Sequence, residues 1–273
     1  MKKMDLKEIK ECEFEILCYI DSICKKMSLR YTLIGGSLLG AVRHNGFIPW
    51  DDDIDISMPR PDYEKIINYL KDSNSKYQVV CSSVNSNYKE LSAKVFDSTT
   101  VIEDTVVNRF NFHCGVYIDI FPVDGLGNSY KESLSRFRKS AFERELLNAA
   151  NWKKYERSKT RAFYYELIRF PFYLLSRVIN PDHLIKKIEK RYSNIDFDKS
   201  KYVIVISGVY REKEIMQYEV YRDYIELSFE GKKFSCIKQY DIWLSKVFGN
   251  YMSLPPKEKQ VSHHTFIAYR KEN

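Results

Sequence analysis

The first thirty residues place their apolar side chains at the spacing of an α-helix. Successive members of this stripe lie 3, 7, 4, 3 and 4 residues apart, which keeps them on one face of a helix. The pattern predicts one amphipathic helix whose apolar stripe consists of Leu6, Ile9, Ile16, Ile20, Ile23 and Met27.

A short β-prone segment, a glycine turn and a helix start follow one another at residues 31–43. The turn is Gly35-Gly36-Ser37. Glycines let the backbone approach a ligand closely, and amides at the start of a helix bind phosphate. The same residues also suit an ordinary helix start, because Ser is a common N-cap. The phosphate interpretation gains weight from an Asp-x-Asp segment that follows 16 residues after Ser37.

That segment, residues 51–58, reads Asp-Asp-Asp-Ile-Asp-Ile-Ser-Met. If it is a strand, Asp51, Asp53 and Asp55 share one face, with successive Cα atoms about 6.6 Å apart. Aspartate is disfavoured in strands and like charges on one face repel, so the row needs a neutralising partner. A divalent cation is one, and all-oxygen ligands favour Mg²⁺ or Mn²⁺ over zinc. An exposed acidic turn or helix cap is the alternative for Asp51 and Asp52, but Asp53 and Asp55 alternate with isoleucines.

A further carboxylate, Asp119, interrupts an apolar strand pattern at residues 116–121. An unpaired charge buried there would cost several kcal/mol, so a partner is expected. If this strand lies beside the first, Asp119 completes a three-carboxylate cradle and can accept a proton from an attacking hydroxyl. Asp124, which precedes Gly125, is predicted to be a turn residue.

Composition narrows the class of protein. The chain of 273 residues is 44% hydrophobic and 30% charged, which excludes a disordered or fibrous chain. No apolar run approaches the roughly 20 residues of a membrane span, and charges occupy the place of a signal peptide's apolar segment. A cytoplasmic location is therefore expected. The 6 cysteines form no CxxC pair, so reduced thiols are expected rather than a zinc or redox site.

Positive charge is concentrated in one region. Residues 131–191 contain 16 Lys/Arg and 7 Asp/Glu, a local charge of +9 that is interleaved with aromatic residues. A surface for nucleic acid or for an anionic membrane has this composition. The alternative is a pair of helices with solvated basic faces and a buried aromatic face.

Four stretches of the chain resemble the LicD family, relatives of the fukutin-related proteins in the nucleotidyltransferase superfamily. The first is the most specific, and together they reach both ends of the chain. They are GGSLLGAVRHNGFIPWDDDIDISMPRPDY from residue 35, AKVFDSTT at 93–100, GVYIDIFPVDG at 115–125 and FGNYMSLPPKEKQVSHHTFIAY at 248–269.

The resemblance implies a metal-dependent transferase that uses Mg²⁺ or Mn²⁺. Such an enzyme moves phosphocholine from CDP-choline to a hydroxyl of a cell-surface glycan, or of its lipid-linked precursor, and releases CMP. Teichoic acid, lipopolysaccharide and capsular polysaccharide are acceptors of this class. Transfer of glycerol or ribitol phosphate from a CDP-alditol, or of a nucleotide, is the alternative. A different class is an inactive basic module that binds membrane or nucleic acid, but the intact carboxylates argue against it and no nucleic-acid partner is expected.

The resemblance also assigns the site, residue by residue. Gly36 and Ser37 match the phosphate-binding turn, Asp53 and Asp55 the metal pair, and Asp119 the third carboxylate. Adjoining residues complete the predicted donor and metal sites: Gly35 beside the turn and Asp51 beside the metal pair. Three more motif positions are catalytic candidates: Arg43, Lys94 and His264. Arg43 and Lys94 would stabilise charge on the donor's phosphates; the alternative is that they are ordinary surface cations.

The predicted fold is α/β, of the α+β kind, with a nucleotidyltransferase-like mixed sheet flanked by helices. Residues 1–128 form the catalytic core with its N-terminal helix, and 129–195 a basic, aromatic-rich helical insertion. Residues 196–273 complete the core with a strand from 202, a hairpin around Glu230-Gly231 and a short helix that ends at Gly249. The insertion is expected to dock peripherally on the anionic inner membrane face, where a lipid-linked acceptor is found.

Overall fold

The computed structural model describes residues 1–104, 109–155, 157, 163–260 and 266–272. These residues form eight α-helices and twelve β-strands. The helices are α1 (Leu6–Met27), α2 (Gly35–His44), α3 (Arg60–Lys71), α4 (Tyr130–Lys139), α5 (Ala141–Asn151), α6 (Glu166–Val178), α7 (Pro181–Tyr192) and α8 (Tyr240–Phe248). The strands are β1 (Lys2–Lys3), β2 (Thr32–Leu33), β3 (Asp55–Pro59), β4 (Tyr77–Val80), β5 (Ala93–Asp97), β6 (Thr100–Asp104), β7 (Tyr117–Gly127), β8 (Tyr202–Val205), β9 (Met216–Gln217), β10 (Tyr224–Phe229), β11 (Lys232–Ile237) and β12 (Phe266–Arg270).

A mixed sheet of seven strands carries the candidate site. Five strands follow the order β2-β3-β7-β5-β4, while β8 pairs with β7 and β9 pairs with β8. The pairing of β3 with β7 is parallel, and β5 and β8 pair with β7 in the antiparallel sense. The predicted mixed sheet flanked by helices is confirmed.

Helix α1 confirms the first sequence prediction. Asp5 and Glu8 form a capping box at its start, in which each side chain accepts a hydrogen bond from the other residue's backbone amide. Its inner face packs into the main core, where Ile16, Leu17 and Ile20 are fully buried. Burial of such side chains stabilises the fold by roughly 1.5–3 kcal/mol each.

The acidic segment is strand only in its second half. Strand β3 begins at Asp55, so the predicted strand over 51–58 is wrong for residues 51–54, which have no regular strand structure. Asp51 and Asp53 therefore do not alternate with Asp55 on a strand face. The physical reason is that like charges on adjacent positions of one strand face repel each other and so oppose strand formation.

The predicted glycine turn is part of helix α2. Helix α2 begins at Gly35, so Gly35, Gly36 and Ser37 are its first turn rather than a separate loop. Gly35 has a φ of +60°, a backbone conformation that favours glycine, and this permits an abrupt passage from β2 into α2.

Helices α4–α7 pack around a second buried cluster. Leu146 and Leu147 of α5 meet Ile185 and Ile188 of α7 there, and the cluster continues to Ile204 of β8. The helical region thus packs against strands β7 and β8 of the main sheet. In the part of the chain that the structure describes, no helix is both long and apolar enough to cross a bilayer.

A buried ion pair joins α3 to β7. Arg60 Nε and Nη2 donate to the two carboxylate oxygens of Asp124 at 2.6 and 2.7 Å. Asp124 is fully buried within β7. The prediction that Asp124 is a turn residue is therefore wrong, because a partner 64 residues earlier satisfies its charge inside a strand.

The predicted hairpin and the final helix are confirmed as β10–β11 and α8. The hairpin is tied to β2 through side chains, since Ser235 Oγ donates to the carbonyl of Tyr31 at 2.7 Å. The amide of Ile237 donates to Thr32 Oγ1 at 2.9 Å. A separate small sheet, β1-β12-β6, brings the residues near both ends of the chain together.

Candidate active site

Two carboxylates and one ammonium group meet at the centre of the main sheet. The parallel register of β3 and β7 sets Asp55 opposite Asp119, and the antiparallel register of β5 and β7 sets Lys94 opposite Asp119. Lys94 Nζ donates to both carboxylate oxygens of Asp119, at 2.8 and 2.9 Å. The sequence expectation that the two acidic strands are neighbours is confirmed.

Lys94 is a buried cation with an anionic and aromatic surround. Its Nζ lies 3.7 Å from Glu90 Oε2 and 4.1 Å from the centroid of the Tyr117 ring. Burial alone would lower the pKa of Lys94, but the charges of Asp119 and Glu90 outweigh it and hold the pKa well above its usual range. Lys94 is therefore charged, and it neutralises one carboxylate of the site.

Asp55 is held at the junction of β3 and α2. Its backbone amide donates to Ser37 Oγ at 2.8 Å, so Ser37 fixes the position of the carboxylate through its side chain. Burial first, and then the charges of Asp53 and Asp119, raise the pKa of Asp55 well above its ordinary value. Asp55 thus lies in a field of negative charge that Lys94 only partly offsets.

The first turn of α2 faces the acidic segment. A Cβ atom at Gly36 would overlap Asp51 Oδ2, and one at Gly35 would lie 3.4 Å from Asp55 Oδ2. The helix therefore presents two glycines to carboxylates at its positive end, where backbone amides lack intrahelical acceptors. The same amides suit the oxygens of a phosphate.

The donor set suits a hard divalent cation by its chemistry, since it consists of carboxylate oxygens in a strongly negative field. Within the described residues, no three His, Cys, Asp or Glu side chains stand at the spacing of a preformed metal site. The charges of Asp51, Asp53 and Asp119 all act on Asp55. Lys94 donates to both carboxylate oxygens of Asp119.

Another predicted site residue, Arg43, does not lie beside the carboxylates. Arg43 is in the last turn of α2, six residues or about 9 Å along the helix axis from Ser37. Its Nη1 donates to the carbonyl of Tyr251 at 2.8 Å and so anchors the segment after α8. His264 lies outside the described residues.

A cleft of about 940 Å³ opens beside the ion pair of Lys94 and Asp119. Asp119 and Lys94 line one part of it, and Trp152, Arg169 and Phe172 of the helical region line another. The cleft thus runs between the sheet and helices α5 and α6, and it is large enough for a drug-sized or larger ligand.

Arg144 of α5 lines this cleft and was not singled out by sequence reasoning. Its guanidinium donates to Ser140 Oγ and to the carbonyls of Phe137 and Ile206, which uses three of its five N–H groups. No carboxylate in the described part of the chain pairs with it, whereas Lys94, Lys89, Arg169 and Arg211 all have one. Burial lowers the pKa of Arg144, as expected for a cation without a counterion.

Glu13 of α1 is a second residue that sequence reasoning missed. It is 2% exposed, and Oε2 has no hydrogen-bond partner among the described residues. Burial, followed by the charges of Asp53 and Asp52, raises the pKa of Glu13 well above its ordinary value. The signal was available, because a glutamate on the buried stripe of an amphipathic helix needs an explanation.

The chain is similar in sequence to known proteins. A family model described as the LicD/FKTN/FKRP nucleotidyltransferase domain matches residues 28–148, which include the paired carboxylates. The chain is 30% identical to the lipopolysaccharide cholinephosphotransferase LicD of Haemophilus influenzae over 98% of this chain and 99% of that protein. It is also 48% identical over 40 residues to the ribitol 5-phosphate transferase FKRP of Mus musculus and of Homo sapiens, which covers 15% of this chain and 8% of each relative.

Proposed function

The chain belongs to the LicD family, and from that premise we propose that it transfers phosphocholine from CDP-choline to a hydroxyl of a cell-surface glycan. One observation carries the proposal. Asp55 and Asp119 stand side by side on β3 and β7, Asp119 lines a cleft, and the similarity of the chain to a cholinephosphotransferase runs over 98% of its length. Two acidic residues in such a position suit the activation of a diphosphate and a hydroxyl.

Asp53, Asp55 and Asp119, with Asp51 beside them, would hold Mg²⁺ or Mn²⁺. When bound, the cation would neutralise the diphosphate oxygens and stabilise the departing CMP. The negative field around Asp55 supports this assignment, because a cation relieves the repulsion that raises its pKa. The amides of Gly35, Gly36 and Ser37 would bind donor phosphate oxygens at the positive end of α2.

In the proposed reaction the acceptor oxygen bonds to the phosphorus that bears choline. The bond from that phosphorus to the bridging oxygen breaks, and CMP leaves with the electron pair. The hydroxyl proton passes to a carboxylate oxygen of Asp119, which Lys94 orients through its two hydrogen bonds. Lys94 also supplies positive charge where the transition state is most negative.

Arg144 is proposed to bind an anionic group of a substrate in the cleft. Replacing it with glutamine should lower kcat/KM by roughly 10- to 100-fold, because a charge-assisted hydrogen bond contributes about 1.5–3 kcal/mol. Arg144→Lys should retain part of the activity. The matched control is Arg138→Gln, since Arg138 is exposed on α4 and pairs with Glu212. Steady-state kinetics and melting temperatures of the three variants test the assignment, and an unchanged kcat/KM in Arg144→Gln contradicts it.

The acceptor is proposed to be a glycan or its lipid-linked precursor, reached from the cytoplasm at the inner membrane face. The charge of +9 over residues 131–191 supports a peripheral association with anionic lipid.

Thermal-shift measurements with CDP-choline, CDP-glycerol, CDP-ribitol, CTP and a short RNA, each with Mg²⁺ and with EDTA, identify the donor. At about 100 times its Kd, the true donor should stabilise the protein by roughly 2.7 kcal/mol, and EDTA should remove the effect. A response to CDP-ribitol instead would identify an alditol-phosphate transferase, a second candidate favoured by the local similarity to FKRP. A response to RNA alone, or to none of these ligands, would contradict the transferase.

A further inference from the structure

Helix α6 has its polar and apolar faces reversed. Glu166 and Ser176 point inward and are only 8% and 1% exposed. Leu167, Leu174 and Val178 point outward and are 69%, 51% and 81% exposed. An amphipathic helix in a globular protein normally turns its apolar side to the core, so this helix has a second apolar environment outside the chain.

The outward side chains form one continuous surface, which we term the α6 apolar face. Positions 167, 171, 174 and 178 recur at helical spacing, and their neighbours widen the stripe. Seven residues lie on this side of α6 and are all exposed: Leu167, Ile168, Phe170, Pro171, Leu174, Leu175 and Val178.

Specific polar contacts fix this orientation. Arg177 donates to the carbonyls of Ala149 and Trp152 at 2.6 and 3.0 Å. Arg169 pairs with Glu166 at 2.9 Å, and Tyr155 donates to the same carboxyl group. Rotating the helix to bury its apolar side would break the bonds of Arg177 and Tyr155, which join α6 to neighbouring segments. Each of these bonds involves a charged group and is therefore stronger than a neutral hydrogen bond. The exposure is therefore built into the fold.

We infer that the α6 apolar face docks on the surface of an anionic lipid bilayer. The segment that packs against the inner side of α6 at Trp152 continues into exposed Lys153, Lys154 and Arg157. An exposed apolar helical face in a region rich in exposed lysines and arginines is the pattern of a helix that lies in the bilayer interface. The apolar side chains enter the headgroup boundary while the cations contact anionic headgroups.

The docked face borders the candidate active site. Ile168 belongs both to the α6 apolar face and to the wall of the cleft that contains Asp119, and Val209, which is 80% exposed, lines the same cleft. Docking through α6 would thus bring the cleft to the lipid surface. This last step rests on the proposed function, because it assumes that the acceptor is attached to a lipid.

Vesicle flotation of the full chain tests the inference. The vesicles are phosphatidylcholine with and without phosphatidylglycerol, at low and raised salt. The test variant is Leu167→Gln/Leu174→Gln/Val178→Gln, in which glutamine preserves helix propensity at exposed positions. The matched control is Leu6→Gln/Val84→Gln/Ile242→Gln, which removes three exposed apolar side chains from other parts of the chain.

We expect the wild type and the control to bind phosphatidylglycerol vesicles, and the α6 variant to bind them at least about tenfold more weakly. Equal binding by the α6 variant and the wild type would overturn the inference. So would light scattering that shows a wild-type dimer, dissociated by the α6 substitutions, without vesicle binding, because the face would then join two protein copies. Transfer to a water-soluble acceptor is measured separately, so a chain that docks but transfers nothing would refute the proposed function alone.

Discussion

Asp55→Asn should reduce transfer by at least about 10³-fold, which corresponds to about 4 kcal/mol of lost transition-state stabilisation. Asparagine has the same shape and can keep the backbone hydrogen bond from Asp55 to Ser37 Oγ. It removes the charge that faces Asp119 across the sheet. Single-turnover transfer with CDP-choline and a soluble acceptor measures the loss.

The same substitution, Asp55→Asn, should leave the stability of the fold unchanged or raise it, although it lowers the transfer rate. The raised pKa means that the folded chain binds the Asp55 proton more tightly than the unfolded chain. This contribution to stability is present below the ordinary carboxyl pKa and is lost as the pH rises through the folded-state value. At neutral pH without divalent cations, Asp55→Asn should therefore melt at or above the wild-type temperature. Asp72→Asn, an exposed carboxylate at the end of α3, is the matched control. A variant with more than a tenth of the wild-type rate would remove Asp55 from the proposed site.

Asp124→Leu should destabilise the fold by about 3–5 kcal/mol, because it leaves the Arg60 guanidinium buried without its counterion. The Arg60 side chain is 13% exposed and that of Asp124 is fully buried. Burial alone would lower the pKa of Arg60, but the charge of Asp124 raises it. Urea unfolding at neutral pH measures the loss.

The double variant Arg60→Met/Asp124→Leu distinguishes the loss of the ion pair from the cost of leaving the Arg60 charge unpaired. Replacing a buried ion pair with apolar side chains of similar size is often neutral, so the double variant should recover at least half of the stability lost by Asp124→Leu. If Asp124→Leu costs less than about 1 kcal/mol, the pair does not fasten α3 to β7 as the geometry indicates.

Local patterns predicted the elements that depend on local contacts. The stripe from Leu6 to Met27 specified α1, and Glu230-Gly231 specified a hairpin turn, with φ values of +49° and +76°. The position of Asp119 in an apolar strand predicted a partner for its charge, and Lys94 is such a partner. In each case the short-range pattern and the tertiary contact favour the same structure.

Distant partners account for what the sequence did not predict. Asp124 resembles a turn residue until Arg60, 64 residues away, is known to reach it. Arg144 is one of many cations in a basic region, and only the packed structure separates it from those that have carboxylate partners. The pattern of α6 is amphipathic in either orientation, so periodicity alone could not decide which side faces the core.

The hairpin β10–β11 limits which fragments of this enzyme can fold on their own. Strand β2, which leads into the glycine turn, is tied to Ser235 and Ile237 across sequence separations of 204 and 205 residues. β7, which carries Asp119, pairs with β8 through Val123 and Val205. The segment 28–148 that matches the family model contains neither partner, so an excised fragment would expose open strand edges that favour aggregation. The residues proposed to be catalytic are therefore not expected to fold in that segment alone, and a chimaera has to include strands β8, β10 and β11 as well.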